Sequence, residues 1–120
     1  MSYKIIVAGG RKFDDYKRLK KELDEIIEGL PTDDIEIVCG GANGADALGA
    51  RYARNHGYKV RRFIPDWEGI GKGAGYVRNK QMANYADCLV AFWDTVSSGT
   101  RNMIKLSEDK GLDVYIRLYE

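Results

Sequence analysis

EIVCGGANGADALGARYARNHG, residues 36–57, holds four glycines in the ten positions that follow Cys39. Before them lies a short apolar run, and after them Ala42–Gly57 reads as a helix that ends at a glycine. A strand that passes through a glycine-rich turn into a helix is the repeating unit of open α/β sheets. Gly40, Gly41 and Gly44 clear side chains from the entrance of that helix. The first amides of a helix have no internal partner and its dipole is positive there, so such an entrance suits an anion. The plainer alternative is a turn that lets the helix pack tightly on the sheet. Asp46 falls in the first helical turn, where it could meet a ribose hydroxyl or order Arg11. GANGAD is not a strict G-x-G-x-x-G and follows the second strand, so a dinucleotide fingerprint is not supported.

Outward from this stretch the same alternation repeats. Strand-like runs are expected at 3–9, 35–40, 58–64, 87–93 and 112–118, and helices at 14–30, 42–57, 74–86 and 100–111. Asp14 or Asp15 can cap the first helix, and Pro31 follows it. Five strands alternating with four helices predict a Rossmann-like three-layer α/β/α domain with a five-stranded parallel sheet, spanning 1–120 as one domain. In such sheets a ligand lies beyond the carboxyl ends of the strands, which directs attention to the loops after Val7, Val38, Ile64 and Phe92.

The totals bound the function. Nineteen Lys and Arg balance eighteen Asp and Glu, a net charge of +1 that argues against broad electrostatic binding of nucleic acid. No apolar run approaches the roughly 20 residues of a membrane span, so no membrane partner is expected. The strand-like YKIIVAGG begins too early to leave room for an export signal, and a cytoplasmic location is expected. Cys39 and Cys88 sit in apolar runs and read as small buried hydrophobes. One histidine and scattered loop acids give no metal-ligand spacing, and no cofactor is expected. His56 reads as a residue closing the second helix, away from the ligand edge.

After the first strand, Gly9 and Gly10 permit a tight turn and Arg11 stands where it could meet a phosphate. Residues 65–75, PDWEGIGKGAG, read as an irregular loop that could act as a mobile flap, with Trp67 or Tyr76 available to stack on a base. GKG lacks the Ser or Thr that a P-loop needs. After the fourth strand, Ser97, Ser98, Gly99 and Thr100 offer hydroxyls and amides at the start of the last helix, a second anion site of the same kind, or simple capping. Two such entrances on one sheet edge suggest a phosphate-bearing ligand such as a nucleotide.

Taken together, IVAGGR, CGGANGADALGARYA, AGYVRNKQMANYADCLVAFWD and SSGTRNM resemble the SLOG superfamily, which includes the DprA proteins and the lonely guy phosphoribohydrolases. The chain is most similar to the small YspA-like branch found in bacteria and their phages. The resemblance implies a Rossmann-like nucleotide-binding fold with the ligand phosphate on the last helix entrance. In the phosphoribohydrolases a catalytic arginine lies four residues before a methionine, and a PGGxGTxxE motif follows. Arg78 and Met82 keep that spacing, and SSGT stands where GGxGT would. Arg78 therefore matches the catalytic arginine, with Asn79 beside it able to read a base or ribose edge. The catalytic glutamate falls on Met103, and methionine neither steadies an oxocarbenium ion nor orients water.

Three functions compete at this level. The first is binding of a nucleoside monophosphate or ADP-ribose-like ligand by a sensor or sequestering module, using Gly10, Arg11, Gly40, Gly41, Gly44, Asp46, Trp67, Arg78, Asn79 and Ser97–Thr100. The second is a nucleotide N-glycosidase with a relocated carboxylate, for which Asp94 is the first choice over Asp66 and Glu68. The third is binding of single-stranded nucleic acid, which the near-neutral charge disfavours. Eight tyrosines would suit a homo-oligomer interface.

Overall fold

A computed structural model describes residues 2–120. In β1, Tyr3–Gly9, the side chains alternate between two faces, and Ile5, Ile6, Val7 and Ala8 are all buried. A strand that is apolar on both faces must be covered on both, as in a parallel sheet. The helix α1, Tyr16–Glu28, starts where the Asp15 carboxylate accepts the Arg18 N–H at 3.0 Å. It buries Leu19 and Leu23, each contributing about 1.5–3 kcal/mol of transfer free energy.

Next come β2, Ile35–Cys39, then α2, Ala45–His56, and β3, Lys59–Arg62. A short helix α3, Trp67–Ile70, a 3₁₀ turn at Gly71–Gly73 and α4, Ala74–Tyr85, lead to β4, Cys88–Trp93. The chain continues through α5, Ser98–Asp109, into β5, Asp113–Leu118. The strands form one parallel sheet in the order β3-β2-β1-β4-β5, so the direction of winding reverses at β1. This is the five-stranded Rossmann-like architecture predicted from the alternation.

Two separate cores cover the sheet. Helices α1 and α2 close one over Ile5, Val7, Ile37, Val90 and Phe92; α4 and α5 close the other over Ile6, Val38, Leu89 and Ala91. Cys39 and Cys88 are buried free thiols, as their apolar surroundings predict. Among the described residues no helix is long and apolar enough to cross a membrane.

Two local expectations need correction. The third strand stops at Arg62, short of Ile64, because its partner β2 ends at Cys39: the Phe63 N–H makes the last ladder bond, to the Cys39 carbonyl, and the next β2 amide, Gly40 N–H, goes to Asp46 instead. The flap expected at 65–75 is helical. Its start is fixed by Asp66, whose carboxylate accepts the Gly69 N–H at 2.9 Å, and the turns run straight on into α4.

Candidate functional site

The carboxyl ends of β1, β2 and β4 carry the three loops that meet at the winding reversal. Gly44 ends the loop after β2 with φ of +76°, and a side chain there would strike the Gly10 carbonyl and the Arg11 backbone. The glycine thus allows two loops to touch. In the same contact the Ala45 N–H donates to the Gly10 carbonyl at 3.3 Å, so the first amide of α2 already has a protein acceptor.

Asp46 turns into this loop instead of toward solvent or Arg11. Only 6% of it is exposed, and its Oδ2 accepts the Gly40 N–H at 3.1 Å and the Ala42 N–H at 3.4 Å. Burial pushes its carboxyl upward, while the Arg78 charge and the two amides pull it back. The anion seated at the entrance to α2 is therefore the protein's own carboxylate. Arg11 remains exposed.

Arg78 reaches the loop from α4. Its Nη1 donates to the Gly40 carbonyl at 2.5 Å and its Nε to Asn79 Oδ1 at 3.0 Å. A Cβ on Gly40 would collide with the guanidinium, so this arginine lies flat on bare backbone. Burial lowers its pKa and Asp46 opposes the shift. Asn79 is buried and carries the chain of contacts onward, donating from Nδ2 to the Gly99 carbonyl at 3.2 Å and to Asn102 Oδ1 at 3.0 Å. Asp46, Gly40, Arg78, Asn79 and the start of α5 thus form one connected unit.

The entrance to α5 is built differently. Asp94 Oδ1 accepts the Val96 N–H at 2.9 Å and the Ser97 N–H at 2.8 Å, and these amides hold its carboxyl below the usual carboxylate range. Between them Thr95 sits at φ of 70°, the one non-glycine positive φ among the described residues, in a region that costs backbone energy outside glycine. Ser97 caps the helix, its Oγ accepting the Thr100 N–H at 3.4 Å and lying 3.2 Å from Thr100 Oγ1. Trp93 Nε1 ties the loop down by donating to the Ser97 carbonyl at 3.1 Å. The Ser98 and Gly99 amides have no acceptor among the described residues, both residues are exposed, and the space above Gly99 is open.

An apolar rim reaches the loop after β2. Trp67 is 58% exposed, and Ile64, Ile70, Tyr76 and Val77 are exposed around the same short helix. The tip of Ile64 lies against Gly41. Met103, by contrast, is 1% exposed and packs with Met82 and Ile104 in the core beneath α4 and α5. The position that would bear the glutamate belongs to the core. His56 stacks on Tyr52 at the far end of α2, with Nδ1 2.8 Å from the Tyr52 carbonyl.

Two participants escaped the sequence reading. Tyr119 follows β5, with its N–H on the Trp93 carbonyl and its ring against Phe13; its hydroxyl occupies the space a Gly10 side chain would need. Asn102 closes the Asn79 amide. The alternation places the end of β5 on the same edge as the other loops, and that was the available signal for Tyr119.

Comparison with known proteins agrees with this architecture. The sequence model of the YspA, cpYpsA-related SLOG family matches residues 3–69. The Gene 61 protein of Mycobacterium phage D29 is 32% identical over 117 residues, covering 92% of this chain and 93% of that protein. The structure of DNA processing protein A, DprA, from Streptococcus pneumoniae superposes with a TM-score of 0.72 at 20% identity, covering 97% of this chain. This chain spans 50% of the DprA chain. The structure of TM1055 superposes with a TM-score of 0.67 at 20% identity, over 95% of this chain and 72% of that one.

Proposed function

The chain belongs to the YspA, cpYpsA-related SLOG family, and from that membership we propose that it binds a nucleotide or nucleotide-derived ligand without turning it over. One observation carries the reading: the Ser98 and Gly99 amides stand open at a helix entrance that a hydrogen-bonded chain joins to the Arg78 guanidinium. A phosphate there gains two N–H donors, the positive end of α5 and a nearby cation. Trp67 and the rim around it give the base or ribose an apolar surface to cover.

Sequestration is favoured over cleavage by the two carboxyl positions. Met103 lies in the core, and the Asp94 carboxylate is committed to two amides and held ionised below the ordinary range, which makes it a weak base.

The test is thermal stabilisation by a panel of AMP, GMP, ADP-ribose, NAD and cyclic nucleotides, each mixture then analysed for released base. A ligand at about 100 times its Kd adds roughly 2.7 kcal/mol to the native state. Stabilisation that Arg78→Ala removes, with no new product, supports the proposal. Released base would replace it with N-glycosidic hydrolysis. DprA is a DNA processing protein, so a single-stranded oligonucleotide completes the panel. Stabilisation by the oligonucleotide alone, weakening steeply with salt, would move the reading to nucleic acid.

A further inference from the structure

The two edges of the sheet are finished in opposite ways. On one side β3 is only four residues long and exposes Lys59, Arg61 and Arg62, charges that repel a second strand. On the other side β5 runs six residues and exposes Ile116 at 37% and Leu118 at 55%. A bare edge with exposed apolar residues is a template for another strand.

The direction of its backbone groups follows from the ladder. Asp113 N–H donates to the Asp87 carbonyl and Tyr119 N–H to the Trp93 carbonyl, so odd-numbered residues of β5 face β4. Val114, Ile116 and Leu118 therefore turn their N–H and C=O groups outward. Side chains already answer part of that row: Arg18 Nη1 donates to the Leu118 carbonyl at 2.7 Å, and Arg117 Nη1 to the Ile116 carbonyl at 3.3 Å.

We propose that the free edge of β5 pairs antiparallel with the same strand of a second copy of this chain, about a two-fold axis at Tyr115. In that register Val114 and Ile116 of opposite copies face each other as a hydrogen-bonded pair, which are the residues whose backbone groups point outward. Asp113 then lies opposite Arg117 of the second copy, twice over, so the edge is complementary to itself in charge. On the other face Ile116 covers Val114 of the second copy and Leu118 covers Leu112. Arg117 keeps Nε on Glu22 and exchanges its bond to the Ile116 carbonyl for the opposed Asp113. A register centred on Ile116 fits less well, since it sets Arg117 against Tyr115 and moves Asp113 opposite Tyr119, away from Arg117.

Sedimentation equilibrium of the full chain across a concentration series tests the association. The expected result is a mass rising from 13.5 kDa to twice that value. Ile116→Pro removes an outward N–H without touching the ladder to β4, so it should leave the chain monomeric with an unchanged melting temperature at low concentration. Register is read by oxidising Tyr115→Cys, because residues opposed at the axis in a non-hydrogen-bonded pair have Cα atoms about 4.5 Å apart, within disulfide reach. Leu118→Cys is the control, since it lies opposite Leu112 and not its own copy. A disulfide dimer from Tyr115→Cys alone sustains the proposal. A chain that stays monomeric at every concentration overturns it, as does cross-linking of Leu118→Cys equal to that of Tyr115→Cys.

Discussion

The entrances to α2 and α5 lie on the same edge of the sheet and both read as anion sites in the sequence, yet they are finished as opposites. At α2 the glycine loop folds around the molecule's own carboxylate, and the space left by Gly44 is taken up by the backbone after β1. At α5 the carboxylate of Asp94 is spent on shaping the preceding turn, and the helical amides of Ser98 and Gly99 are left free. Glycine content alone does not make an anion site; what matters is whether the chain supplies its own anion first.

Asp46→Ala breaks the comparison most severely. It strips two amides of their acceptor and leaves Arg78 without its counter-charge in a half-buried setting. A buried donor left unsatisfied costs about 1–3 kcal/mol, and a loss of that order is expected here, read as a reduced midpoint in urea at unchanged slope.

The glycines sharpen it. Gly44→Ala places a side chain at positive φ against the Gly10 carbonyl, and should cost more than about 1 kcal/mol. Gly99→Ala meets nothing and lies in a helix, so stability should rise by about 0.5–1 kcal/mol. The same methyl stands over the open amides and should weaken stabilisation by nucleotides. Equal thermal melts for the two variants without ligand would remove the distinction drawn between the entrances.

Acid provides the smallest and most specific contrast. Asp94 is depressed by the Ser97 and Val96 amides, so its contribution is present above the ordinary carboxylate range and lost as pH falls through its lowered value. Asp46 is raised by burial, so the cost of its ionised form is relieved as pH falls through its raised value. In melts taken from about pH 7 down to about pH 3, Asp94→Asn should flatten the acid-side loss and Asp46→Asn should deepen it relative to the parent chain.

Much of this was readable beforehand. Strands such as Ile5–Ala8 announce themselves as short unbroken apolar runs beside glycines, and helices such as Tyr16–Glu28 by apolar residues that recur at the helical period. The helix at Trp67–Ile70 was concealed by Pro65, Gly69, Gly71 and Gly73, which read as breakers, although the Asp66 cap was present in the text. Ser97–Thr100 and Arg78 could be marked as candidates, but the partner of Arg78 could not. Asp46 comes near it only because both side chains reach the Gly40 backbone, one by its N–H and the other by its carbonyl, and no spacing along the chain encodes that meeting. Asn102 escaped notice for the same reason, and its approach to Asn79 depends on how α4 packs on α5.

Tyr119 gives the site a property in time. The candidate site draws on Gly10 near one end of the chain and on Tyr119 near the other, and its loops come together only when β1 pairs with β4, Ile5 against Cys88, across most of the sequence. Contacts of such long range form late and slowly. A nascent chain that has completed only the first two strands and helices has its glycine loop but neither Tyr119 nor the entrance to α5, so the proposed ligand would be held only once the sheet is complete. Ligand capture would then report on finished molecules alone, and a pulse of ligand during refolding would count native chains without counting collapsed ones.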